Sequence, residues 1–138
     1  MPDAPIVEVP PAPKAWLYIQ STGMLYRPDG SFCAQGYSGH ATGRNNPAMQ
    51  NISNVGPLPV GFYRLGEVSN EKGPLTIRLK PDKLNEMHGR SGFLVHGNNV
   101  VDDASHGCII MPNAARQELS HGGVIHVVAR PAPQEIVT

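Results

Sequence analysis

Apolar and polar residues alternate along much of this chain with the period of two that suits half-buried strands, and glycine, proline and asparagine interrupt the alternation at short intervals. Trp16-Leu17-Tyr18-Ile19-Gln20 and Met24-Leu25-Tyr26-Arg27 flank Ser21-Thr22-Gly23, which predicts an opening hairpin. Asp29-Gly30 supplies the next turn, and Ser31 to Gln35 the next short strand. Gly61 to Val68 and Leu75 to Leu79 predict paired strands around Ser69 to Pro74. In the second of these, Ile77 and Leu79 form the apolar face while Arg78 and Lys80 face solvent. Further on, Phe93-Leu94-Val95 leads into His96-Gly97, a polar loop spans Asn98 to Ala104, and Ser105-His106-Gly107-Cys108 opens a second apolar run, Ile109-Ile110-Met111. Pro112 to Leu119 is the clear helix, with Gly122-Gly123 beyond its end. Val124 to Ala129 predicts a last strand that turns His126 away from the face of Ile125 and Val127. Between Gly36 and Pro59 no period holds. A stretch that long reads either as a solvated excursion stabilised by asparagine turns or as a functional lid.

The composition supports this strand-rich pattern. Fourteen prolines and fifteen glycines, with 6% aromatic residues, point to a loop-rich, mainly β protein with one short helix. A chain of 138 residues suffices for one domain with one core. That domain is expected over residues 16–130, after a proline-rich lead-in over 1–15 and before a tail over 131–138. Eleven basic residues balance eleven acidic ones with no basic cluster, so neither nucleic acid nor an anionic membrane surface is the expected partner. The lead-in has no basic start and no sustained apolar stretch, and is not expected to act as a Sec signal peptide. No apolar run approaches the roughly eighteen residues that a membrane span requires.

The chemistry concentrates in Phe93 to Met111, which holds two of the six histidines and one of the two cysteines. A histidine and a thiol at the two ends of one loop suit nucleophilic catalysis, in which an imidazole takes the thiol proton. An unperturbed cysteine is only about 3% thiolate at pH 7, so a nearby imidazolium would raise the reactive fraction greatly. Cys33 reads as a small buried hydrophobe rather than as a disulfide partner for Cys108, because a bridge would extinguish the nucleophile.

His-Gly, a short loop, and Ser-His-Gly-Cys followed by aliphatic residues resemble the signature of the L,D-transpeptidases, cysteine enzymes with a YkuD-like β-sandwich or barrel that remodel peptidoglycan stem peptides. Gly36-Tyr37-Ser38-Gly39, Gly43-Arg44-Asn45-Asn46-Pro47 and Gly56 to Tyr63 narrow the resemblance to the compact toxin branch delivered by type VI secretion. The similarity runs from about Trp16 to Arg130. It implies Cys108 as nucleophile on the carbonyl between the third and fourth stem residues, and His96 as general base, its tautomer fixed by the Gly97 carbonyl. It implies a tight turn at Gly107 that aims amides near Gly107 and Cys108 at the oxyanion. His106 would bind substrate or support the loop, and Ser105 would hydrogen-bond either histidine. Tyr37, His40, Arg44 and Asn46 would contact the peptide, with Arg44 as carboxylate clamp, and His88 could approach the cleft. The implied partners are stem peptides, a cognate immunity protein and a secretion-system carrier. The implied place of action is the periplasm of a target bacterium, after synthesis in the cytoplasm. No cofactor is expected.

Water, a free D-amino acid or a second stem as acceptor would give carboxypeptidation, exchange or a crosslink, and the sequence does not separate them. Three alternatives remain beside this reading. A papain-like amidase usually places cysteine before histidine and at a helix start. A zinc module would have to be built from His88, His96, His106 and Cys108, which match no compact ligand spacing. A non-catalytic wall-binding domain would simply bury its cysteine.

Overall fold

The computed structural model describes residues 14–132, so the lead-in expected over 1–15 and the tail expected over 131–138 lie almost wholly outside the described residues. Strands β1 (Trp16–Ile19), β2 (Met24–Tyr26), β3 (Phe32–Gln35), β4 (Tyr37–Ser38), β5 (Gly61–Ser69), β6 (Thr76–Pro81), β7 (Leu94–His96), β8 (Ile109–Ile110) and β9 (Gly123–Val128) join in one sheet with a single helix, α1 (Asn113–Leu119). The sheet runs in the order β3-β2-β1-β9-β5-β6-β7-β8-β4. The architecture is mainly β, a nearly closed barrel with one short helix, as the pattern predicted. No helix among the described residues is long and apolar enough to cross a membrane.

The alternation of side chains decides what each strand buries. Trp16 and Tyr18, Ile77 and Leu79, and Ile125 and Val127 point into a common core, while Arg78 and Lys80 stand outside it among Glu67 and Glu71. His126 lies on the outer face, stacked on Phe62 with ring centroids 4.1 Å apart. Ala115 and Leu119, one helical turn apart, seat α1 on the core. Complete burial of an aliphatic side chain contributes about 1.5–3 kcal/mol, so these inward rows supply most of the cohesion. Cys33 and Cys108 are both free thiols; Cys33 packs beside the core, its sulfur 3.6 Å from a Glu118 oxygen.

Beyond the hairpins, the pairing of the strands was not predicted. β7 and β8 are parallel, with Val95 opposite Ile109 and His96 opposite Ile110. And β3 and β4 are consecutive in sequence yet stand at opposite ends of the strand order, so the single residue between them draws the sheet closed. That residue is Gly36. Its amide donates to the Gly23 carbonyl at 2.8 Å, and a Cβ on it would overlap the Ile110 carbonyl oxygen.

The stretch from Gly36 to Pro59 is correspondingly less free than its composition suggests. It contains β4 and two 3-10 turns, Ala41–Gly43 and Pro47–Met49. Ser38 anchors it: the hydroxyl donates to the Gly107 carbonyl at 3.0 Å and accepts the Leu58 amide at 2.8 Å. Because Gly36 leaves no room for a methyl group, Gly36→Ala is expected to cost about 3 kcal/mol of stability, read as a lower urea midpoint. An unchanged midpoint would show that the seam can widen.

Candidate active site

The parallel pairing sets where the two reactive side chains stand. Paired residues in a parallel ladder share a face, so His96 shares the outer face with Ile110, and the same register carried back one residue puts Cys108 beside Leu94 on that face. His96 therefore sits at the far end of β7 while Cys108 introduces β8. From strand spacing and rise, their Cα atoms are roughly 8 Å apart on one side of the sheet, within reach of an imidazole leaning towards a thiol.

His96 is buried, and its Nδ1 lies 2.9 Å from the Gly97 carbonyl oxygen. A proton held at Nδ1 by that carbonyl leaves Nε2 with the free lone pair, the tautomer a base requires. Burial pulls the His96 pKa below its ordinary value; the Gly97 bond pushes it up, and the charges of Lys72 and Arg116 lower it. Burial pushes the Cys108 thiol up, against the lowering influence of the Leu94 amide and of Lys72, with Glu71 raising it and Arg90 lowering it. Among the described residues no hydrogen bond joins the His96 ring to the Cys108 sulfur. Burial thus disfavours the charged form of the imidazole and of the thiol alike. Active-site hydrogen bonds in unliganded enzymes often tighten only with substrate bound.

Several expected roles change on inspection. Among the described residues the Ser105 hydroxyl hydrogen-bonds neither histidine ring: fully buried, it accepts the Gly39 amide at 2.9 Å and the Gly107 amide at 3.1 Å, and donates to the Cys108 carbonyl at 2.6 Å. The Gly107 amide, one of the two expected to face an oxyanion, is thus already engaged by a side chain. Gly107 itself adopts φ +134°, where a side chain would be strained, and a Cβ would lie 2.5 Å from Arg90 Nη2. His106 is exposed and stacks on His40 with centroids 5.1 Å apart. Asn46 caps the second 3-10 turn, accepting the Ala48 amide at 3.1 Å, and donates to the Thr42 carbonyl at 3.1 Å. His88 is exposed in a separate turn, with its amide bonded to Glu86. No group of three His, Cys, Asp or Glu side chains among the described residues is placed to hold a metal ion.

Tyr37 and Arg44 serve the crossover loop. The Tyr37 hydroxyl donates to Asn98 Oδ1 at 2.6 Å and accepts the Ala104 amide at 2.8 Å. Arg44 lies over the Tyr37 ring at 3.6 Å and donates to both the carbonyl and a carboxylate oxygen of Asp102. The carboxylate that Arg44 clamps here belongs to its own chain. Both residues nevertheless line a cavity of about 480 Å³ with Asn98, Ile110, Met111 and Arg116. Arg116, unremarked in the sequence, bonds the Met111 carbonyl and the carbonyls of Pro74 and Leu75, tying α1 to the β5–β6 turn beside His96. Lys72 and Glu71 in that same turn were also missed, because nothing in the chain marks a hairpin tip as lying near a thiol.

Removal of the Ser105 hydroxyl orphans two buried amides and a carbonyl at once. Ser105→Ala is expected to cost about 2–3 kcal/mol in denaturant titration and to lower activity, since it frees the turn carrying Cys108. Wild-type stability and activity together would contradict this account.

No curated protein and no solved structure matches the chain. The family model described as the Tlde1 domain matches residues 33–128. This span runs from β3 to the end of β9 and takes in His96, Cys108, both walls of the cavity and the closing strand of the barrel. With the greater part of the chain matched in this way, and with a histidine and a cysteine sharing one face of the sheet, the protein belongs to the Tlde1 domain family of type VI secretion effectors of the L,D-transpeptidase type.

Proposed function

We propose that this protein cleaves the bond between the third and fourth residues of peptidoglycan stem tetrapeptides through a Cys108 acyl-enzyme. The observation that carries the reading is the placement of His96 and Cys108 on one face of two parallel strands, with the His96 tautomer set by Gly97. In the first step His96 Nε2 accepts the thiol proton as sulfur attacks the carbonyl carbon, and the oxyanion faces the Cys108 amide. Collapse of the tetrahedral intermediate breaks the C–N bond; His96 returns the proton to the departing D-amino acid amine, leaving a thioester on Cys108. Water or an amine then gives up its proton to His96, attacks the thioester and releases the thiol.

The acceptor decides the product. Water yields a tripeptide stem, a free D-amino acid yields an exchanged stem, and a second stem yields a crosslink. Membership of an effector family favours trimming or exchange, which deprives a target cell of crosslinkable stems in its periplasm. A cognate immunity protein and a secretion-system carrier belong to the same proposal. The amidase alternative gains no support from the fold: Cys108 introduces a strand rather than a helix, and His96 precedes it.

Mass spectrometry of tetrapeptide muropeptides, with and without an added D-amino acid, tests the reading. Loss of the terminal residue, or its replacement by the added amino acid, is expected. Cys108→Ala and His96→Ala should each lower turnover by at least about a thousandfold; full activity in Cys108→Ala would sink the proposal. Because the base must be neutral and burial holds His96 below its ordinary value, the acid limb of kcat/KM should fall below about pH 6.5. A limb centred above that value would mean that His96 is not the titrating base.

A further inference from the structure

Arg90 lies in a polar stretch and is nevertheless buried, with 7% of its surface exposed. Buried arginine is ordinarily balanced by a carboxylate. Here the guanidinium is held by backbone oxygens instead: Nη1 donates to Gln50 at 2.6 Å and Pro57 at 2.8 Å, while Nη2 donates to Gly56 at 2.9 Å and His106 at 3.3 Å. The Phe93 ring centroid lies 5.1 Å away. Among the described residues no Asp or Glu forms an ion pair with it. Four carbonyl dipoles solvate a cation but do not cancel it, so a whole positive charge remains against Gly107, one residue from the nucleophile.

We propose that Arg90 is the positioning residue of the Cys108 site: its planar fork locks the Ser105–Cys108 turn onto the 50–57 loop, and its charge favours the anionic sulfur and the oxyanion. This inference rests on the reading of Cys108 as nucleophile. Geometry explains why arginine is required. A lysine is a point donor on a flexible stem and cannot span four carbonyls on two segments, whereas the guanidinium does so in one plane. The other charged or titratable groups on the side of the sulfur come from two elements, Lys72 and Glu71 from the β5–β6 turn and His96 from β7, while the exposed His106 of the turn itself stacks on His40. Of the cations among them, Lys72 lies on an exposed hairpin tip and Arg90 alone is buried. The two charges are mutually felt, Arg90 holding the thiol down and the thiolate holding the guanidinium up.

The test uses thiol alkylation, which needs no substrate. In a Cys33→Ser background only Cys108 reacts, and the pH dependence of its modification by iodoacetamide, followed by intact mass, reports its ionisation. Arg90→Gln is expected to move the midpoint up by about 0.5–1 pH unit and to lower kcat on muropeptides about tenfold or more with little change in KM. Arg90→Lys should return the midpoint to the wild-type value while leaving kcat low. A folded Arg90→Gln protein with the wild-type midpoint overturns the proposal, and so does an Arg90→Lys midpoint as high as that of Arg90→Gln. Should Arg90→Gln not fold, nitrogen-15 spectra of arginine side chains in the Cys33→Ser protein decide the matter. The Arg90 Nε resonance is expected to follow the Cys108 titration and to stay flat once Cys108→Ala is added; a flat resonance with Cys108 present overturns the proposal. Alkylation would report on Arg90 even if Cys108→Ala proved active on muropeptides, so the two readings fail separately.

Discussion

Pairing β7 with β8 in parallel obliges the chain to travel back along the length of the pair between His96 and Cys108, and it does so without a helix. Parallel connections usually use a helix because it satisfies its own backbone during the return. Here the crossover is held by its own side chains together with Tyr37 and Arg90 from outside it. Tyr37 holds Asn98 and Ala104, Asn98 and Asn99 bind Asp102 and Asp103, Ser105 satisfies Gly107 and Cys108, and Arg90 takes the His106 carbonyl. Most of the residues that a motif would label as active-site members are therefore engaged in holding a loop in place.

The electrostatics follow from the same burial. Withdrawal from water disfavours the imidazolium and the thiolate alike, so burial works against a standing ion pair between the two groups. A site of that kind relies on fixed charge nearby rather than on a standing ion pair. Lys72 on the hairpin tip and Arg90 against the turn both favour the thiolate, and Glu71 opposes them.

Much of the scaffold was legible because period-two alternation and glycine-proline punctuation are local signals. Both hairpins, the helix and the final strand with its outward His126 fall where the pattern puts them. Strand β4 was not legible, since two residues flanked by glycine carry no period and become a strand only by meeting β8. The pairing of His96 with Cys108 was suggested by their place at the two ends of one loop and by the family resemblance, yet the parallel geometry depends on β6 and β4 flanking the pair, which no local signal records. The partner of Arg44 was not legible for a related reason: a guanidinium in a Gly-Asn loop gives no sign that the acid beside it is Asp102 from the crossover. Arg90 was invisible because a polar stretch gives no hint that one of its arginines is buried.

The closure at Gly36 has a consequence for how other molecules can engage the domain. The strands that would otherwise form the rims of the sheet, β3 and β4, have only four and two residues, and the glycine between them draws one towards the other. No long row of unpaired amides and carbonyls is left along the described sheet for another chain to extend. A partner that recognises this domain therefore finds only the short edges of β3 and β4 as backbone to join, and side chains and loop contours are the larger part of what it can read.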